Sequence, residues 1–305
     1  MAQSTLIVVN RRARNVRLAG RWLRRQSEAL ERLAPAELAL LDSPEEAELA
    51  AFEGAQAGYG RLVVVGDLAT ASGFVNGLMR LAESHRRALR VGFLSLGRHN
   101  GWCEALALPA DVGRQLDILS AGNVLPYDVG RVDCVDAEGK TTTRHFLAGV
   151  ALEGSTGDTT LTCDDTVAHA GQWTLGYAML TGRYPGAGTI APEANPSDGL
   201  LDVAWIASTG ARAALAKLTT TLHLPSGLAR ERAREVRIEC PGFRVPVRVD
   251  GIAAGQLPAT VTVLPRALPV IVEPIASRLR EKQKKMVTEM QGAALAGHFK
   301  RVARR

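Results

Sequence analysis

The stretch Leu62-Val63-Val64-Val65-Gly66-Asp67 constrains the fold more than any other part of the chain. Four consecutive apolar residues with no polar alternation fit a strand buried on both faces, the usual state of a strand in a parallel sheet. Gly66 ends the run. Thr70 or Ser72 is then placed to cap a helix through Phe74, Val75 and Leu78. Strand, small-residue turn and helix N-terminus together present N–H groups with no partner of their own, so an anion can sit there. Taken alone, the stretch reads better as an ordinary turn between strand and helix.

The N-terminal part repeats this alternation. Residues 5–9 are an apolar, β-branched run and predict a first strand, followed by the basic turn Asn10-Arg11-Arg12. Residues 16–33 place apolar side chains near helical spacing with arginines opposite, and predict one helix. A short strand is expected at 37–41. A helix is expected from Ser43-Pro44-Glu45-Glu46 to about Ala57, and a strand at 91–94. Strands alternating with helices imply a doubly wound parallel sheet, whose ligands sit at the carboxyl ends of the strands. Asn10 and Gly66 fall there, and so does the loop Ser95-Leu96-Gly97-Arg98-His99-Asn100. Within that loop Arg98 is the better anion ligand, because a guanidinium can fork two phosphate oxygens.

From Pro126 onward the pattern changes to alternating, antiparallel-type strands. Residues 127–133 and 141–147 flank a hairpin turn at Asp136-Ala137-Glu138-Gly139. Residues 173–180 predict a helix, 200–206 a strand and 211–222 a helix. Strands are expected at 236–238, 245–249, 259–264 and 269–272, with Asp250-Gly251 where a hairpin turn would fall. Two carboxylates, Asp198 and Asp202, lie close together beside the strand at 200–206. The expected organisation is an α/β domain over 1–125, a β-rich domain over 126–273 and a basic helical tail over 274–305.

Composition narrows the partners. The net charge of +6 favours acidic ones, while an aromatic content of 5% with no basic–aromatic interleaving argues against nucleic acid. Cys103, Cys134, Cys163 and Cys240 are scattered, which points to reduced thiols rather than a zinc site or disulfides. A strand beginning almost at the first residue leaves no room for a signal peptide, and no apolar run has the length of a membrane span. The expected location is cytoplasmic, with peripheral attachment to the inner face of the membrane as an option. That option rests on Arg278, Arg280, Lys282, Lys284 and Lys285, with Ile275, Leu279, Met286 and Met290 near one helical face. A homodimer is left open.

In its order of motifs the chain resembles the diacylglycerol kinase catalytic-domain family, which includes bacterial lipid kinases, ceramide kinases and sphingosine kinases. The residues that carry the resemblance are Val9-Asn10-Arg11, Gly66-Asp67-Leu68-Ala69-Thr70 through Asn76-Gly77-Leu78, and Ser95 through Cys103. They continue with Asp128-Val129-Gly130-Arg131-Val132, Gly186-Ala187-Gly188 through Asp198-Gly199-Leu200-Leu201-Asp202-Val203, and Val247-Arg248-Val249-Asp250-Gly251. Six motifs in one order carry more weight than any one of them. An NAD kinase shares the turn at Gly66–Thr70, but the Asp-Gly-Leu-Leu-Asp and Val-Asp-Gly stretches fit the lipid kinases better.

The resemblance implies an NAD-kinase-like, doubly wound nucleotide-binding domain followed by a β-sandwich domain, with an active cleft between them. It implies ATP and Mg²⁺ as cofactors and a diacylglycerol-, ceramide- or sphingoid-type lipid as substrate. Asn10, Gly66, Asp67, Thr70, Gly97, Arg98 and Asn100 would hold the nucleotide, Asp67 and Asp198 the metal, and Asp250 would be the base. The departures matter as much. Counting back from Asn76 puts Leu68 at the place of the family's motif acid, whereas counting forward from Val63 allows Asp67. Gly73 stands for a Glu, Ser95 and Arg98 for a Pro and a Thr, and Ile252 for a Glu. The segment from Tyr177 to Gly186 is short, which implies that one or two family strands are missing. A non-catalytic relative that binds a lipid or a partner is therefore the alternative.

Overall fold

The computed structural model of the chain describes residues 4–17, 20, 22, 24–96, 105–207 and 228–273. Four parallel strands open the fold, in the order β2 (Ala36–Leu41), β1 (Thr5–Asn10), β3 (Arg61–Val65) and β4 (Arg90–Leu94). Both faces of β1, β3 and β4 are covered, which is why their buried runs are continuously apolar; β2, at the sheet's edge, leaves Glu37 and Leu40 exposed. Leu6, Val8, Leu62, Val64, Val91 and Phe93 face one core. It is closed by α3 (Glu46–Gln56) and α4 (Leu68–Met79), with Ala47, Phe74 and Leu78 fully buried. Ile7, Val9, Val63, Val65 and Leu94 face the other core, against Trp22, Ala29, Leu33, Leu116 and Leu119. Each fully buried Val, Leu, Ile or Phe among them contributes about 1.5–3 kcal/mol.

The helix expected over 16–33 is two short pieces, α1 (Arg14–Arg17) and α2 (Gln26–Arg32). Gly20 lies between them at φ +60°, a conformation that interrupts a helix. Two further helices, α5 (Glu83–Ala88) and α6 (Val112–Ala121), flank β4 in sequence.

The β-rich part is built from β5 (Val124–Val135), β6 (Thr141–Phe146), β7 (Gly149–Cys163), β8 (Thr166–Met179) and β11 (Leu201–Ala207). It continues with β12 (Ala229–Ala233), β13 (Glu235–Glu239), β14 (Pro246–Val249) and β15 (Ile252–Ile271). A small hairpin, β9 (Arg183–Tyr184) with β10 (Gly188–Thr189), sits beside them. The helix expected at 173–180 is part of β8, which pairs with β7 on one side and β11 on the other. Its apolar residues divide between two cores: Trp173 and Ala178 enter one, Tyr177 and Met179 another. Two-sided burial makes a strand read as a continuous apolar run, and such a run cannot be told from a buried helix by periodicity. The two strands expected at 259–264 and 269–272 are a single strand, β15, with an irregularity between Leu264 and Leu268 where Arg266 takes φ +52°.

β15 joins the two parts. Its last residues pair with the start of β5, from Tyr127–Leu268 to Val124–Ile271, and Val270 lies parallel to Val91 of β4. By pairing, the ends of both strands belong to the parallel sheet. The helix expected at 211–222 and the tail over 274–305 lie outside the described residues. Among the described residues no helix is long and apolar enough to cross a membrane, and Cys134, Cys163 and Cys240 are free and buried.

Candidate functional site

The carboxyl ends of β1 and β3 meet at three hydrogen-bonded side chains. Asn10 is 1% exposed and Thr70 fully buried. The Asn10 Nδ2 donates to Thr70 Oγ1 at 2.8 Å, and that hydroxyl donates to Asp67 Oδ1 at 2.7 Å. The Asn10 Oδ1 accepts from the amides of Arg12 and Ala13, which fixes the turn after β1. Asn15 Nδ2 donates to the Gly66 carbonyl at 2.7 Å and fixes the turn after β3. Gly66 is required here, since a Cβ on it would lie 2.5 Å from the Thr70 Cβ.

Asp67 is the N-cap of α4. Its backbone is extended at φ −89°, ψ −173°, and its Oδ1 accepts from the Thr70 amide at 3.0 Å. This corrects the expected cap at Thr70 or Ser72; Thr70 is the third helical residue and Asp67 does the capping. The amides of Leu68 and Ala69, the first two of the helix, have no hydrogen-bond partner among the described residues. Asp67 Oδ2 likewise has none. The site thus offers two free N–H donors and one free carboxylate oxygen within a single turn. Leu68, one residue on, reaches toward the β14–β15 turn. Its Cδ1 is 3.6 Å from the position of a Cβ on Gly251, and Pro185 lies at the same distance.

Asp250 and Gly251 form that turn at φ +49° and +85°, as a two-residue hairpin demands. The Asp250 carboxylate points inward and is 1% exposed. Oδ1 accepts from the amides of Ala148 and Gly149, both at 2.9 Å, and Oδ2 from Leu147 at 3.1 Å. Burial outweighs these bonds and pushes the carboxyl up to about 6. Tyr184 fastens the turn from outside. Its hydroxyl accepts from the Gly251 amide at 2.9 Å and donates to the Arg248 carbonyl at 3.3 Å. In this conformation neither Asp250 oxygen is presented as a free proton acceptor.

Asp198 has different partners. Its Oδ1 accepts from the Leu200 amide and its Oδ2 is bonded to Arg232, which also stands 3.6 Å from Asp202. Asp128 is fully buried nearby, accepting from the amides of Gly199 and Arg266, each at 2.7 Å. Burial, and secondarily Asp198, raise its carboxyl above the ordinary range. Among the described residues no three His, Cys, Asp or Glu side chains come together to hold a metal. Asp67, with a free hard oxygen, fits a magnesium ion completed by phosphate oxygens and water; Asp198, held by Arg232, does not present a comparable free oxygen. Gly97, Arg98 and Asn100 lie outside the described residues. Nothing in the sequence spacing of Leu68, Tyr184, Pro185 and Gly251 brings them together; only the fold does. Asp128, in the motif Asp128-Val129-Gly130, holds the turns at Gly199 and Arg266.

Residues 4–132 match the model of the diacylglycerol kinase catalytic domain, and residues 155–272 that of the YegS C-terminal NAD kinase beta sandwich-like domain. The first part of the chain is therefore a diacylglycerol kinase catalytic domain and the second a YegS-type sandwich domain, on an NAD-kinase-like fold. A diacylglycerol kinase of Mycobacterium tuberculosis is 35% identical over 116 residues, which are 36% of this chain and 37% of that protein. The match thus spans little more than a third of that relative's length. A diacylglycerol kinase of Staphylococcus carnosus is 25% identical over 67% of this chain and 74% of its own. The structure of a diacylglycerol kinase from Bacillus anthracis superposes with a TM-score of 0.69 at 18% identity, covering 89% of this chain and 97% of that one. Yeast NADH kinase, with a TM-score of 0.54 at 13% identity over 88% and 82%, shares the fold.

Proposed function

We propose that the protein is an ATP-dependent lipid kinase that phosphorylates the hydroxyl of a diacylglycerol-, ceramide- or sphingoid-type lipid. Diacylglycerol comes first, because the relatives are named for it. The observation that carries the reading is the Asn10–Thr70–Asp67 chain at the ends of β1 and β3, with the free amides of Leu68 and Ala69 beside it. These amides suit phosphate oxygens. Asp67 suits magnesium, which when bound would neutralise charge on the phosphates. Gly97, Arg98 and Asn100 complete the proposed nucleotide contacts. Asp198 keeps a place in the proposal through its motif, and would have to leave Arg232 to serve a metal.

Asp250 is ionised above about pH 6. It would accept a lipid hydroxyl's proton only after giving up amide bonds to residues 147–149. The basic residues after Pro274 would place the enzyme on an anionic inner membrane surface from the cytoplasm, alone or as a homodimer. If their deletion leaves binding to anionic vesicles unchanged at low salt, that attachment is wrong.

One observation favours a second reading, a non-catalytic relative that binds a lipid or a partner. Leu68, which the count back from Asn76 puts at the place of the family's acid, turns an apolar side chain toward Gly251. Incubation with Mg-ATP and a lipid panel, with products identified by mass, separates the two. A phosphorylated lipid supports the kinase. No product, together with no thermal shift from Mg-ATP, supports the non-catalytic relative.

A further inference from the structure

Arg61 and Arg90 begin β3 and β4, at the edge of the parallel sheet opposite Gly66 and Thr70. In the parallel register they are direct partners. Their guanidinium groups converge on the end of α6. A Cβ on Gly122 would lie 2.9 Å from an Arg90 terminal nitrogen and 3.7 Å from one of Arg61. Like charges directly opposite in a sheet are destabilising, so this pairing calls for a reason.

The surroundings supply little of it. Arg90 donates to the Gly122 carbonyl at 3.4 Å, a long contact. The carbonyl end of α6 adds its negative dipole. Arg61 makes no side-chain hydrogen bond or ion pair among the described residues, and its Nε is buried without a partner. Burial, and then Arg90, hold the Arg61 guanidinium below its ordinary range, and no carboxylate opposes them. Each guanidinium carries five N–H donors; among the described residues Arg61 uses none of them and Arg90 one.

We propose that Arg61 and Arg90 form a binding site for a dianionic phosphate group, on the opposite edge of the sheet from the candidate nucleotide site. Two adjacent planar forks match a tetrahedral dianion with several acceptor oxygens, whereas one carboxylate occupies a single fork. Inorganic phosphate and the phosphomonoester headgroup of a lipid share this chemistry. The site does not depend on the kinase reading.

The test uses the full chain and two ligands at constant ionic strength: inorganic phosphate, and phosphatidylcholine vesicles with and without phosphatidic acid. Calorimetric titration of the wild type is expected to show saturable phosphate binding that Arg90→Gln and Arg61→Gln each weaken at least tenfold. Affinity for Mg-ATP should be the same in wild type and Arg90→Gln, which separates this site from the cleft. Arg90 is exposed, so Arg90→Gln should fold; in phosphate-free, low-salt buffer it should unfold no earlier than wild type, because a like-charge contact has gone. Vesicle binding lost with Arg90→Gln assigns the site to a lipid headgroup, and loss confined to inorganic phosphate assigns it to a soluble ligand. The proposal is overturned if wild type shows no saturable binding, or if both variants bind phosphate as wild type does. It is also overturned if Arg90→Gln is destabilised without phosphate, which would make the pair a cap for α6 only.

Discussion

Leu68 and Gly251 face each other across the candidate cleft, the Leu68 Cδ1 lying 3.6 Å from the place of a Cβ on Gly251. That spacing is ordinary van der Waals contact, so a methyl group fits. The cost of Gly251→Ala comes instead from its backbone at φ +85°, about 1–2 kcal/mol. Chemical denaturation should show this loss. Replacing Leu68 by Asp should leave the turn intact and strengthen Mg²⁺-dependent nucleotide binding, read by titration calorimetry, because it adds a hard oxygen beside Asp67.

Asp67 performs two separable tasks. Asp67→Ala should cost about 1 kcal/mol through loss of the cap and, if the kinase reading holds, should also weaken Mg-nucleotide binding. Asp67→Asn keeps an acceptor for the Thr70 amide, so stability should stay near wild type while magnesium dependence falls. Equal Mg-ATP affinity in wild type and both variants would remove Asp67 from the metal.

Thr70 links β1 to α4 through one hydroxyl. Thr70→Val keeps the shape but leaves the buried Asn10 amide without its acceptor. A loss of about 1–3 kcal/mol is expected. Thr70→Ser keeps both hydrogen bonds and should lose less. Urea midpoints for the two variants decide the order.

Asp250 carries a pH signature. Its folded carboxyl titrates at about 6, above the ordinary value of 3.8. The folded state therefore holds this proton more tightly than the unfolded chain. The stabilisation is complete below about pH 4 and is lost as pH rises through 6. Asp250→Asn cannot titrate and presents an amide nitrogen to at least one backbone N–H. It should be less stable than wild type, by an amount that shrinks between pH 4 and pH 7. A pH-independent gap would show that Asp250 does not titrate in this range. In the kinase reading the same variant should lose most turnover; turnover equal to wild type would remove Asp250 from the mechanism.

Much of the α/β part was legible because residues 62–65 and 91–94 are short apolar runs closed by small or polar residues, and their partners follow at regular spacing. β8 was not, since Trp173, Tyr177, Ala178 and Met179 are buried on two faces and leave no alternation to read. The helix over 16–33 failed at Gly20, whose positive φ is a property of the folded backbone. In the site, Asp67 could have been read as a cap from its position three residues before Thr70. The burial of Asp250 could not, because the amides that hold it come from residues 147–149, more than a hundred positions away.

The long strand β15 sets an order on the birth of the molecule. β4 waits for a neighbour that the ribosome makes some 180 residues later, since Val91 pairs with Val270. At about 5–20 residues per second, that interval lasts roughly ten seconds or more. During it the nascent parallel sheet has an open flank beside β4, with Val91 and Phe93 in it. A chain built this way keeps that flank open until β15 is made, and its vulnerable period is that wait.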